Sequence, residues 1–396
     1  MIRQLPAQVW KLSACYSLML SGPAMLFFIA GIIGLQLAPS PEYSTLPVGL
    51  SILGVAFNTV PVSLLMRRFG RKHVFVSFAI VGLLASLMAS WSLILQNFWL
   101  FCLASALIGT TTAAVQQFRF AAIEVVDNTL IPKAASCVLL GGIFAAFIGP
   151  EITVQGRMVL DTEYSASFIY LAVVYFVAFV ILLTIDNAQT SEQIEPLENS
   201  RPLSELLSQP RLVMAILTAA IAYGIMSFIM TATPLSMHNY YGHSLESTKW
   251  VIQSHVAAMF LPSLASALLI SKMGHYRLIA IGVLAHFLCL ALAFSSQTFS
   301  AYLIALVLLG IGWNFQFISA TLLLPSTYRA NERFKVQAVN ELIVFSTQAI
   351  AALSSGWMLF KLEWHGLLVL SVIPIAILAI LLHFKGEWKS RDVLCH

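Results

Sequence analysis

The sequence predicts an all-α membrane protein, with twelve transmembrane helices arranged as two parallel six-helix repeats. Three observations carry that expectation: the apolar composition, the placement of the cations, and an internal echo between the two halves. Of 396 residues, 59% are hydrophobic and 10% charged, and the mean hydropathy is +0.87. Water cannot be the main solvent of such a chain. A helix needs about 20 apolar residues to cross the hydrocarbon core of a bilayer. Stretches of that kind fall near residues 11–37, 45–66, 73–95, 98–124, 134–155, 165–186, 211–236, 248–270, 277–296, 299–326, 336–360 and 364–384. The first is too long for a signal-peptide core and lacks an obvious cleavage site, so it counts as a span.

The cations set the orientation. With the N-terminus in the cytoplasm, Arg67, Arg68, Arg71, Lys72, Lys133, Arg201, Lys272, Arg277, Arg329 and Lys335 fall inside, as do the basic residues near both termini. Arg157, Lys249 and Lys361 fall outside. That asymmetry follows the positive-inside rule, and one helix more or fewer would break it. Trp91, Trp99, Trp250, Trp357 and Trp364 land at outer helix ends, and Trp10 and Trp388 at the inner interface, as an aromatic belt would. The expected location is therefore the bacterial inner membrane, multi-pass, with both termini cytoplasmic. The net charge of +4 reports this topology and carries no nucleic-acid meaning. Cys15, Cys102, Cys137, Cys289 and Cys395 have no spacing that suggests a zinc site or a disulfide framework.

Residues 187–210 form the one long polar stretch and read as a cytoplasmic linker between an N-terminal bundle (1–186) and a C-terminal bundle (211–396). The bundles echo each other at an offset of about 200 residues. Pro61 matches Pro262, Arg68-Phe69-Gly70-Arg71 matches Lys272-Met273-Gly274-His275, and Gly109 matches Gly310. Six is even, so the copies run in the same direction, a parallel repeat.

The run from Ser63 to Lys72, Ser-Leu-Leu-Met-Arg-Arg-Phe-Gly-Arg-Lys, resembles the loop between the second and third helices of the major facilitator superfamily, Gly-x-x-x-Asp-Arg-x-Gly-Arg-Arg/Lys. Arg68, Gly70, Arg71 and Lys72 match; Ser63 departs, and Arg67 stands where the family has Asp. The resemblance implies a conformational role for Arg68, Gly70 and Arg71, without the relay that the Asp would supply. The family's Arg early in the fourth helix has no counterpart between Asn97 and Ile108. Its Gly-Pro signature in the fifth helix survives in part as Gly141-Gly142 and Gly149-Pro150, a hint of export. Met230–Met237, Val251–Ser263, Gly312–Phe315 and Glu332–Glu341 resemble a branch of bacterial permeases associated with flavin uptake and carboxylate-siderophore traffic. In that fold the first, fourth, seventh and tenth helices line a central cavity.

Ionisable groups inside a bilayer cost at least about 2.5 kcal/mol each and so need a partner, water or a task. The fourth span carries Gln116, Gln117, Arg119 and Glu124. At about 100° per residue Gln117 and Glu124 share a face, while Arg119 points about 140° from Glu124. Arg119 cannot deprotonate and offers a planar fork suited to a carboxylate or phosphate, which makes it the leading substrate-binding candidate. A structural ion pair with an acid on another helix is the alternative. The tenth span supplies Trp313, Asn314 and Gln316 at similar depth, either as a binding floor opposite Arg119 or as interhelical hydrogen bonders. Asn340 and Glu341, early in the eleventh span, read as a gate or proton-coupling acid, or as a structural pair. Glu124 is a second coupling candidate or a solvated helix end. His255 is a third, since a histidine is the side chain whose ordinary titration falls nearest physiological pH, or else a satisfied buried histidine.

The function expected is secondary active transport of a small, anionic organic solute by alternating access, driven by protons. A carboxylate-type siderophore, a flavin or a drug-like compound is the alternative cargo. The chain has no Gly-x-x-x-x-Gly-Lys-Ser/Thr loop for ATP, no selectivity-filter repeat of a passive channel, and no His-Glu-x-x-His or Gly-x-Ser-x-Gly element of an enzyme. Neither a cofactor nor a metal is expected. The partners are the solute, protons and the lipid bilayer, and the working unit is a monomer.

Overall fold

The computed structural model describes residues 5–127, 130–186 and 201–383. Linker residues 187–200, Arg3, Lys385, Trp388, Lys389, Arg391 and Cys395 lie outside the described residues. The N-terminal spans are α1 (Ala7–Leu37), α2 (Leu46–Phe69), α3 (Arg71–Ile94), α4 (Phe98–Val115) with α5 (Phe118–Ile123), α6 (Ile131–Gly156) and α7 (Ser165–Leu183). After the short α8 (Leu203–Leu207) come α9 (Pro210–Leu235), α10 (Leu245–Phe260) with α11 (Ser263–Met273), α12 (His275–Ser295), α13 (Phe299–Leu323) and α14 (Arg333–His383).

Ten helical stretches among the described residues are long and apolar enough to cross a membrane. Two breaks reconcile that number with the twelve expected. The 51-residue α14 is two spans, because Glu363 turns the chain at φ 58° and ψ −176°. The eighth span is divided at Leu261–Pro262 into helices of 16 and 11 residues. Pro262 has no N–H with which to continue the helical ladder.

The repeat is visible in the backbone. Gly70 (φ 80°, ψ 155°) and Gly274 (φ 78°, ψ 161°) turn the chain in the same way between the second and third, and the eighth and ninth, spans. A positive φ of this kind suits a residue without Cβ, which explains glycine at both positions of the echoed motif. Elsewhere small residues let backbones touch. A Cβ on Gly109 would sit 1.9 Å from the Ser51 carbonyl, and one on Gly54 2.3 Å from that of Ala106, so α2 and α4 pack backbone to backbone.

Consecutive spans alternate direction, so one end of the bundle carries Arg71, Glu124, Arg201 and Glu332, and the other carries Glu42, Glu151, Lys249 and Lys361. Polar contacts join the two halves at the Lys249 end. Thr45 Oγ1 donates to the Leu353 carbonyl (3.4 Å) and accepts the Gly356 N–H (3.0 Å), beside the Lys361–Glu42 pair (2.8 Å). On the opposite seam Lys249 pairs with Glu151 (2.8 Å), and Gln253 donates to the Phe147 carbonyl (3.3 Å). At the Arg71 end, among the described residues, one ion pair lies within the N-terminal half and one ties the linker to the C-terminal half. Arg71 grips Glu124 through Nε (2.8 Å) and through a second guanidinium nitrogen, and Arg201 grips Glu332 (2.7 Å).

Candidate functional site

The fourth span breaks at Gln116–Gln117, where the amides of Gln117 and Phe120 bond to carbonyls three residues back. The break sets Arg119 on the short helix α5, about 7 Å of rise from the Arg71 end at 1.5 Å per residue. Its guanidinium lies over the Phe120 ring, 4.7 Å from the centroid, and its buried Nε has no hydrogen-bond partner. Among the described residues Arg119 makes no ion pair. It is within electrostatic reach of Glu341, on α14, and of the Tyr223 hydroxyl, on α9, both in the other half, and of the Tyr16 hydroxyl, on α1 in its own half. Glu341 is half-buried and, among the described residues, likewise has no ion-pair partner. It lies about 12 Å into α14, about one helical turn deeper than Arg119.

An aromatic wall adjoins this pair. Trp313 and Phe317, one turn apart on α13, stack at 5.0 Å with 16° between their planes. The Tyr223 ring meets both edge-on, at 5.1 and 5.3 Å, and reaches Phe345 of α14 at 6.1 Å. Such pairs contribute about 0.5–1.5 kcal/mol beyond area burial, so the wall is preorganised. The indole Nε1 of Trp313 is buried without a partner. The wall thus offers an apolar face, one free donor and a phenol, with a cation and a carboxylate nearby.

Several residues chosen from sequence stand elsewhere. Asn314 lies on another face of α13, where its amide donates to the Met259 carbonyl (2.6 Å) and Ser263 Oγ (2.7 Å). It fills the gap that Pro262 leaves in the eighth span, as polar side chains do at membrane helix breaks. Gln316, also expected on the binding floor, meets His286 Nδ1 of α12 at 3.1 Å instead. His255 is fully buried with Nδ1 2.7 Å from the Leu306 carbonyl, so it braces α10 against α13 and does not face the Arg119–Glu341 space. Glu124, weighed as a coupling acid, is committed to Arg71, which is itself buried. Arg68 is exposed over the Phe69 ring at 5.2 Å, and Gly70 supplies the turn between α2 and α3. Gln116, Gln117 and Asn340 are half-buried and make no side-chain hydrogen bond among the described residues. A cleft of about 430 Å³ beside Glu124 is lined by Pro6, Val125, Val126, Asp127 and Leu130; it has no aromatic wall and lies apart from Arg119.

Sequence reasoning missed Tyr16, Tyr223, Phe317 and Phe345. The i,i+4 spacing of Trp313 and Phe317 was the available signal, since it puts two rings on one helix face.

Residues 12–248 and 215–391 match the family model for the Major Facilitator Superfamily. A riboflavin transporter, RfnT, of Brucella anthropi is 32% identical over 94% of this chain and 94% of its own length. An MFS-type transporter of Bacillus subtilis, YdeG, described as uncharacterized, is 27% identical over 88% of this chain and 86% of its own. Among solved structures, an inward-facing bacterial homologue of the human lysosomal transporter Spinster superposes with a TM-score of 0.74 over 97% of both chains, at 14% identity. The nucleoside transporter NupG gives 0.71 over 96% of this chain and 99% of its own, also at 14%. At such identity these two likenesses speak to the fold alone.

Proposed function

The chain belongs to the Major Facilitator Superfamily, and from that premise we propose that it is a proton-coupled secondary transporter for a flavin-type solute. The observation that carries this reading is an unpaired Arg119 beside the wall of Trp313, Phe317 and Tyr223. A flavin has a flat ring system, which suits the wall, and a pyrimidinedione edge whose two carbonyls suit a guanidinium fork. The similarity to a riboflavin transporter supports the same choice.

In the proposed cycle the halves rock about the Arg119–Glu341 space. The polar seam at the Lys249 end supports a state closed on that side and is the opposite of a continuous pore. Glu341 holds the coupling proton: when charged it attracts Arg119, and when protonated it leaves Arg119 to the solute. The cation distribution supports a cytoplasmic Arg71 end and insertion in the bacterial inner membrane. One chain holds the whole site, so the monomer is the working unit.

Titrating purified protein into riboflavin tests the proposal, because stacking on the indole quenches flavin fluorescence. Saturable quenching that carboxylate siderophores and simple organic acids fail to compete supports the flavin reading. Thermal stabilisation of the protein by such acids, with no flavin response, would favour the second reading, a simple carboxylate held by the Arg119 fork.

A further inference from the structure

We propose that Glu151, Lys249 and Glu246 form a releasable latch between the two halves, in which each charge keeps a partner in its own half when the seam opens. Lys249 Nζ lies 2.8 Å from Glu151 of the other half and 2.6 Å from Glu246, one turn away on its own helix α10. Glu151 in turn accepts from Gln155 Nε2 at 2.9 Å, one turn away on α6. The ammonium stem is buried, 5% exposed, whereas the carboxylates are 43% and 52% exposed.

This arrangement answers a physical problem. Separating a buried ion pair ordinarily leaves an uncompensated charge and is strongly unfavourable, which would lock a transporter in one state. Here Lys249 retains Glu246, and Glu151 retains Gln155 and solvent. The seam is therefore held by a cross-half bond that costs little to release. Gln253, one turn deeper on α10 and 2% exposed, is sealed by the same closure through its bond to the Phe147 carbonyl.

The argument gives two neighbouring neutralisations opposite signs. Without Glu151 the closed state loses its cross-half bond and the open state loses nothing. Without Glu246 the closed state keeps Glu151, and the open state strands Lys249.

The latch rests on the rocking cycle proposed above, and the test separates the two. Gln253→Cys is placed in the full-length protein, and its reaction with a water-soluble maleimide is followed against the parent without the reporter. Glu151→Gln is expected to raise the labelling rate about two- to fivefold, the size of a half-exposed ion pair. Glu246→Gln is expected to lower it about twofold, the size of a pair within one helix. Both side chains are half-exposed, so neither change unpacks the core. A reporter that reacts no more slowly in Glu246→Gln than in the parent latch overturns the latch alone. A reporter unreactive in every variant overturns both the latch and the rocking motion.

Discussion

Arg119 of α5 and Glu341 of α14 lie within electrostatic reach of each other across the two halves, and among the described residues neither has an ion-pair partner. An opposed pair that is near without being bonded can respond to a proton or a solute. A closed ion pair would have to be broken first.

Glu341→Gln should abolish gradient-driven accumulation while solute exchange between equal pools continues, since exchange needs no net proton transfer. Uptake into proteoliposomes with and without an imposed pH gradient measures both. Accumulation at the parental rate would remove Glu341 from the coupling step.

Glu124→Gln should behave differently. It leaves the buried Arg71 without its carboxylate, so the loss is stability, about 3 kcal/mol for a broken buried pair, and coupling persists in the folded fraction. Thermal unfolding against transport per folded molecule separates the two effects.

Asn314→Ala should cost about 1–2 kcal/mol of stability, because the Met259 carbonyl beside Pro262 loses its donor, with flavin affinity unchanged. A selective loss of affinity would return Asn314 to the binding floor.

Glu332 carries a pH prediction. Fully buried between α13 and α14, it accepts from the Arg201 guanidinium and from the backbone N–H groups of Arg201 and Arg329. The Arg201 bond, joined by the backbone donors, holds its carboxyl down to about 2 from an ordinary 4.5. A depressed carboxylate stabilises the fold above its unfolded pKa and stops doing so as pH falls through the folded one. The clamp should therefore weaken between about pH 4.5 and pH 2. Glu332→Gln should remove about 1–3 kcal/mol at neutral pH and flatten that acid limb, as followed by unfolding at stepped pH.

The fold was largely legible because hydropathy and cation placement are read over whole spans and tolerate local irregularity. The echo of Arg68-Phe69-Gly70-Arg71 in Lys272-Met273-Gly274-His275 reappears as two glycines with matching positive φ. The site was legible only in part. Arg119 and Glu341 stand out as charges in apolar helices, but their opposition depends on packing between halves, to which no local pattern is sensitive. Asn314 and Gln316 looked like ligands for the same reason, since an amide in a membrane needs a partner whether it serves a solute or a helix. Only the third dimension distinguishes them, with Met259 and Ser263 at the helix break holding one and His286 the other. The aromatic wall was hidden because Tyr223, Phe317 and Phe345 are ordinary residues in apolar spans.

The wall itself predicts that Trp313→Ala weakens flavin binding about three- to tenfold, the size of one aromatic contact, and removes most of the quenching. Trp313→Phe should restore affinity and leave the quenching low. Equal affinity in Trp313→Ala would take the ring out of the site.

The most direct test is the affinity of riboflavin for the parent, Arg119→Lys and Arg119→Ala proteins, each shown to be folded. A point charge cannot reproduce a bidentate fork, so the lysine variant should bind more weakly, and the alanine variant should lose about tenfold or more. A folded Arg119→Ala protein that binds riboflavin as tightly as the parent would contradict the account.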